Sequence, residues 1–218
     1  MSGSAAGGVG ASATFGDVIT SPRTVFMEGN RVIGSIAFES PYRYTVLDWT
    51  VTGSLTVAAE SGAARISATR GRHEFSANVV VASDLDVDVA AWSAITFSAT
   101  LPLSLNGHTL IKTGNGSVQL HNVEGGGNVQ VQSGELIIGG THFGGGQYTV
   151  NSAGTLSGDG LLLAGVVNSG TVAPGASVGG LTVLGSYSQE VTGLLEMEIG
   201  GTTAVVGHDV LSVGGALI

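Results

Sequence analysis

Three aspartates that alternate with apolar residues are the side chains in this sequence most suited to chemistry. Asp84, Asp86 and Asp88 are separated by Leu85 and Val87. In a β-strand this alternation places the three carboxylates on one face and the apolar side chains on the other. Alternate strand residues lie roughly 6.7 Å apart, which suits a Ca²⁺ ion bridged through water or an acid and base pair. An outward acidic face that keeps a strand soluble gives the same pattern. We therefore predict no metal or cofactor, and retain the three aspartates only as candidates for a weak cation site.

A basic segment precedes the aspartates. Arg70-Gly71-Arg72-His73-Glu74 could supply positive partners for the acids, or could contact an anionic sugar. A polysaccharide-cleaving site would combine Asp84 and Asp86 with Arg70 or Arg72 in one groove. An ordinary surface turn explains the segment equally, and we favour it.

One segment matches the Gly-x-Ser-x-Gly pattern of serine hydrolases. Gly175-Ala176-Ser177-Val178-Gly179 would need a helix after it to expose the serine beside an oxyanion hole, but a valine-containing strand pattern follows. The histidines lack the spacing of metal ligands; they are His73, His108, His121, His142 and His208. We predict no catalytic residue, and hence that the chain is not an enzyme.

Two smaller features could contact carbohydrate. Asn115-Gly116-Ser117 fits the glycosylation triplet, but Asn-Gly is better explained as a turn. Trp49 and Trp92 could stack on a sugar ring if they are exposed, or could cover an apolar core.

The composition limits the class of protein that can position these residues. Hydrophobic residues make up 43% of the chain and 37 residues are Gly, whereas only 11% are charged, which excludes a disordered chain. The longest apolar run, Leu161 to Val167, contains Gly165 and is too short to span a membrane. The chain has no Cys, so packing and hydrogen bonds must hold it together.

Charge disfavours two classes of partner. The formal net charge is −9, and every Lys and Arg lies at or before Lys112. Such a field repels nucleic acid and anionic lipid. We expect no nucleic-acid partner and no membrane span.

Short strand-length runs separated by Gly predict an all-β chain. Examples are Val32–Phe38, Tyr42–Leu47, Ser54–Ala58 and Leu85–Val89. Residues 1–14 are small and weakly patterned, and we expect a loose leader there. Residues 15–218 are expected to form one domain, less regular before about residue 105.

Internal repeats predict how the strands of this all-β chain are arranged. One four-residue pattern of small, Gly, polar and apolar residues occurs three times at spacings of 20 and 16 residues, in Ser133-Gly134-Glu135-Leu136, Ala153-Gly154-Thr155-Leu156 and Ser169-Gly170-Thr171-Val172. Asn151-Ser152 and Asn168-Ser169 precede two of them. A repeat of this size suits one coil of a β-solenoid, with Gly at the corners, Asn at a turn or in a ladder, and Leu136, Leu156 and Val172 in the core. We predict a parallel β-solenoid of about ten short coils.

Part of the chain resembles a known family. Leu110-Ile111-Lys112-Thr113-Gly114-Asn115-Gly116-Ser117-Val118-Gln119-Leu120, followed by Val129–Leu136, is similar to the autotransporter-associated β-strand repeat, with Ser117-Val118 in place of the commoner Thr-Leu. Further segments that fit are 170–183, 185–189, 194–201 and 208–213. The resemblance covers about residues 105 to 213. It implies a right-handed β-helix in the passenger part of an exported protein of a Gram-negative-type bacterium, outside the cell or on its surface.

Three functions follow as expectations. The first is a structural stalk or surface-display segment of a longer secreted protein. The second is a glycan-binding or polysaccharide-cleaving β-helix. The third is a matrix or adhesin module that associates with its own copies or with surface glycans.

Overall fold

The computed structural model describes residues 7–218, and within them the regular elements are all β-strands. Apolar and polar residues alternate along the strands, as in Leu85–Val89, where Leu85, Val87 and Val89 are fully buried. Three strands and three corners make one coil, and the coils stack in parallel. The all-β solenoid expected from the repeats is confirmed, with about nine coils rather than ten.

The strands follow one another coil by coil. The first three coils contain β1 (Ser12–Phe15), β2 (Arg23–Met27), β3 (Arg31–Ile33), β4 (Ser35–Phe38), β5 (Tyr44–Asp48), β6 (Ser54–Val57), β7 (Ala64–Ala68), β8 (Arg72–Ser76) and β9 (Asn78–Val81). The next three contain β10 (Leu85–Val89), β11 (Ala94–Phe97), β12 (Leu103–Ser104), β13 (Leu110–Thr113), β14 (Ser117–Leu120), β15 (Val123–Glu124), β16 (Val129–Ile138) and β17 (Thr141–His142). The last three contain β18 (Gln147–Gly158), β19 (Leu161–Leu162), β20 (Gly165–Asn168), β21 (Thr171–Pro174), β22 (Gly180–Val183), β23 (Tyr187–Gln189), β24 (Leu194–Leu195) and β25 (Val210–Val213).

The strands form three lateral faces. Face A consists of β1, β4, β7, β10, β13, the first halves of β16 and β18, β20 and β23. Face B consists of β2, β5, β8, β11, β14, the second halves of β16 and β18, β21 and β24. Face C is a separate sheet of nine strands, from β3 to β25. Because β16 and β18 run continuously around the corner, faces A and B form a single sheet.

The register of the repeat cells is the one that the sequence predicts. Leu136 of β16 pairs with Leu156 of β18, which in turn pairs with Val172 of β21. All three side chains have no solvent exposure. The repeated cell therefore corresponds to the corner between faces A and B and the strand that follows it.

The interior changes character along the axis. The first four coils contain a run of stacked rings, with Phe38 lying 4.4 Å from His73 and Phe75 lying 5.1 Å from Phe97, centroid to centroid. Later coils are filled mainly by Leu, Val and Ile. The core is thus mainly aliphatic in the second half of the stack and partly aromatic in the first.

Two expectations about local structure need correction. The run Val32–Phe38 is two strands on two faces, because the chain turns at Gly34, where an added Cβ would lie 2.4 Å from the Cα of Gly10. Within the expected leader, Ser12–Phe15 already forms strand β1 and pairs with β4, since Ala13 and Phe15 pack on the core. Residues 1–6 of that leader lie outside the described residues.

The two asparagines of the repeat do not form a ladder. Asn168 pairs with Val150, so Asn151 falls one residue out of phase with it. Asn168 is fully buried, and its amide donates to the carbonyl of Leu194 at 2.9 Å. It acts as a single buried link between coils.

The coils differ in length. On face A, 30 residues separate Ser35 from its partner Arg65, but 18 separate Thr149 from Val167. The right-handedness implied by the family resemblance stays a prediction. Within residues 7–218, no helix is long and apolar enough to cross a bilayer.

Candidate functional site

The acidic strand lies on face A, and its carboxylates point outward. Asp86 of β10 is the register partner of Arg65 of β7, and Asp88 lies two residues further along β10. The guanidinium of Arg65 donates to Asp86 Oδ2 at 3.1 Å and to Asp88 Oδ2 at 2.6 Å. The Thr113 hydroxyl on the next coil donates to Asp86 Oδ1 at 3.0 Å. The Arg65 guanidinium therefore occupies the space between these two carboxylates, where a bound metal cation would have to lie.

Asp84 is held separately from the other two aspartates. Its Oδ1 accepts a hydrogen bond from the backbone amide of Thr109 at 2.9 Å and lies 3.8 Å from His108 Nδ1. In the part of the chain that the structure describes, no three His, Asp or Glu side chains are placed to hold a metal ion. The weak cation site at Asp84, Asp86 and Asp88 has no support from this geometry.

The expected arginine partners of the aspartates lie elsewhere. Arg70 is at a corner, with its guanidinium 3.4 Å from Asp17 of the first coil. Arg72 begins β8 on face B and makes no ion pair with any residue in 7–218. Arg65 takes the predicted role because parallel stacking places it, and neither Arg70 nor Arg72, beside Asp86.

Ser177 lies in the corner between β21 and β22. An extended strand follows it, so the strand-turn-helix geometry of a nucleophile elbow is absent at this position. Ser177 lines a depression that Glu135, Glu196 and Asp209 also line. Asp209 is buried and accepts hydrogen bonds from the backbone amides of Gly179 and Glu198, which fixes the corner.

Two of the five histidines are buried structural groups. The ring of His142 accepts a hydrogen bond from the Tyr148 hydroxyl at 2.5 Å and donates to the carbonyl of Leu120 at 3.3 Å. Burial lowers the pKa of His142 to about 4. Burial also lowers the pKa of His73, which packs on Phe38. Both rings are therefore neutral at pH 7.

Lys112 is a buried cation to which the sequence patterns assigned no role. Its ammonium group donates to the carbonyls of Thr113, Gly114 and Ser133, and the side chain has no solvent exposure. Burial lowers its pKa to about 8, against the opposing effect of Asp88, Glu135 and Asp86. Lys112 links the corners of two coils and has no access to a ligand.

A large depression lies on face B. It has a volume of about 1000 Å³, and side chains lining it include Arg43, Arg72, Glu74, Trp92, Gln119 and His121. Thr96 stands at the centre, since it pairs with Glu74 on one side and Gln119 on the other. We refer to this depression as the face B groove.

Trp92 stands at the edge of the face B groove, at the corner between β10 and β11. Its side chain is 97% exposed, and its φ of 67° lies in the left-handed region. Trp49 also projects outward, but from the corner between β5 and β6, and it does not line the groove. Trp92 and Arg72, each only a possible contact for sugar in the sequence, both line this groove, which their sequence spacing did not indicate.

Comparison with known proteins gives no relative. No family model matches the chain, and neither a curated protein nor a solved structure matches it.

Proposed function

We propose that the chain is a rigid, non-catalytic spacer in the passenger region of a secreted bacterial protein, and that it displays other parts of that protein away from the cell surface. The observation that carries this proposal is the continuity of the stack. On face A one row of register partners runs without a break from Ser12 in the first coil to Ser188 in the last.

The stack has the properties of a spacer. Each coil hydrogen-bonds to the next along all three faces, and one apolar cluster extends through the interior. Parallel strands lie about 4.8 Å apart, so the eight steps from Ser12 to Ser188 span roughly 38 Å. Such a unit sets a fixed distance, whereas a flexible linker of the same number of residues would set a broad distribution.

The export and surface location of the spacer rest on the resemblance of residues 105–213 to autotransporter repeats. An antibody raised against this chain should label intact cells of the source bacterium. Labelling that requires permeabilised cells would overturn the proposed location.

Rigidity can be measured directly, because the chain has no native Cys to interfere with labelling. Spin labels at Ser12→Cys and Ser188→Cys should give a narrow distance distribution near 38 Å, apart from the length of the labels. The matched pair Ser12→Cys and Thr149→Cys is six steps apart and should give roughly 29 Å. A broad distribution, or equal distances for the two pairs, would contradict a rigid spacer.

The polysaccharide-cleaving alternative is less well supported. It requires free carboxylates beside an arginine in one groove, but Arg65 bonds both Asp86 and Asp88 outside the face B groove.

A further inference from the structure

The face B groove is shaped by small residues that follow Arg72 along the stack. Ala94 of β11 pairs with Arg72 on the coil before and with Ser117 on the coil after. Its methyl group leaves space that a longer side chain would fill. Along the adjacent row, Glu74, Thr96 and Gln119 point outward at successive coils, about 4.8 Å apart. The groove therefore has a polar floor that extends along the solenoid axis.

Trp92 is placed at the groove at the expense of local stability. A bulky residue rarely adopts positive φ, and an indole ring that is 97% exposed gains almost nothing from burial. At the same corner in neighbouring coils, the residue with positive φ is a glycine, namely Gly71, Gly114 or Gly134. Folding does not require an aromatic residue at this position, and a contact made outside the chain would explain one.

The charge of the groove is opposite to that of the whole chain. Arg43 and Glu74 form an ion pair and neutralise one another. Arg72 is exposed and has no acidic partner in residues 7–218. A free guanidinium suits a ligand that carries a carboxylate, and the groove is a local exception to the net charge of −9.

We propose that the face B groove binds an acidic oligosaccharide, with one sugar ring stacked on Trp92, a uronate carboxylate paired with Arg72, and ring hydroxyls hydrogen-bonded to Thr96 and Gln119. An indole presents a flat apolar face of the kind that covers the C–H face of a sugar, while the neighbouring hydroxyl and amide groups suit sugar hydroxyls. The groove volume of about 1000 Å³ is at the upper end for small-ligand sites, which gives room for more than one ring. This binding is independent of the spacer role.

The probes are tetrasaccharides of galacturonate, mannuronate and hyaluronan, each compared with the neutral maltotetraose. Trp49 and Trp92 are the only tryptophans, so in Trp49→Phe the indole fluorescence reports on Trp92 alone. At least one acidic tetrasaccharide should change that fluorescence in a saturable way, with the affinity confirmed by calorimetry. Failure of all three acidic probes to bind at millimolar concentration would overturn the proposal.

Variants locate the site. Trp92→Ala and Arg72→Gln should each weaken binding of the acidic probe by about tenfold or more, while Trp49→Ala and Arg31→Gln, at exposed positions outside the groove, should leave it unchanged. Arg72→Gln should also remove the preference over maltotetraose. Equal binding by wild type and Trp92→Ala, or equal affinity of wild type for neutral and acidic probes, would contradict the site or the ligand class. Thermal unfolding of every variant verifies the fold.

Discussion

At the scale of single residues, Trp92 adopts a backbone conformation that costs stability, which the proposed recognition of an acidic sugar would explain. The left-handed conformation costs an L-residue roughly 1–2 kcal/mol and costs glycine almost nothing. Glycine normally destabilises folded structure relative to alanine, because it gains more freedom on unfolding. At this corner, glycine should therefore give a more stable protein than alanine.

We therefore expect Trp92→Gly to be more stable than Trp92→Ala by about 1 kcal/mol. Urea denaturation of the two variants measures this difference. The same pair at Thr96, which lies within a strand, is the control, and there alanine should be the more stable variant. Greater stability of the alanine variant at both positions would show that Trp92 is not strained.

His142 makes the stability of the protein depend on pH. Its pKa is about 6.5 in an unfolded chain and about 4 in the folded protein. As pH falls from 7 to 5, the unfolded chain binds a proton that the folded protein does not, so the free energy of unfolding decreases by about 2 kcal/mol from this residue. The decrease continues until the pH passes about 4.

The glutamine in His142→Gln stays neutral over this range. The decrease in the free energy of unfolding that His142 contributes should therefore be absent from this variant. Urea denaturation at pH 7, 6 and 5 compares the two proteins. His73 contributes a further decrease in both, because burial lowers its pKa as well. Parallel pH profiles for wild type and His142→Gln would contradict the assignment.

At the scale of the elements, the strand that follows the corner between faces A and B is the unit that the sequence repeats. Leu156 of β18 lies between Leu136 and Val172 of the neighbouring coils, and all three are fully buried. The alternation of side chains fixes which residues face inward, and a slip of one residue would expose the whole apolar row.

Leu156→Asp should cost more than about 3 kcal/mol, because an unpaired carboxylate would replace a leucine in the core. Hydrogen exchange should show loss of protection in β16, β18 and β21 together, since each coil depends on its neighbours. The control Thr171→Asp, in an outward position, should change stability by roughly 0.5 kcal/mol or less. Unchanged cooperative unfolding of Leu156→Asp would contradict the register.

At the scale of the whole molecule, the solenoid is modular but strictly phased. Gln130 and Thr149 are register partners one coil apart. Deletion of residues 130–148 therefore removes one coil and joins equivalent positions of face A. The polar and apolar alternation continues across the junction.

We expect this deletion to leave a cooperatively folded protein, shorter by roughly 5 Å between the labels at Ser12 and Ser188. Deletion of residues 130–147, one residue fewer, joins Val129 to Tyr148, which are also register partners and both face inward. That junction breaks the alternation and should lower the unfolding temperature strongly. Calorimetry compares the two deletions, and similar unfolding temperatures would contradict strict phasing.

The architecture of this protein could be predicted from its sequence alone. Alternation in segments such as Leu85–Val89, together with the Gly-containing cells ending at Leu136, Leu156 and Val172, predicted a parallel β-solenoid and the register of its most regular coils. This prediction succeeds because the same local pattern recurs in every coil, with apolar residues inward and tight corners between short strands.

Which side chains meet across coils could not be predicted from the sequence, because it depends on how the coils stack in the folded structure. Adjacent coils on face A are separated by between 18 and 30 residues, because the corners absorb insertions. Partners therefore cannot be counted along the chain: Arg65 pairs with the aspartates, and Arg72 and Trp92 meet at the face B groove. A local pattern fixes whether a side chain points inward or outward, but the lengths of the intervening corners fix its neighbours.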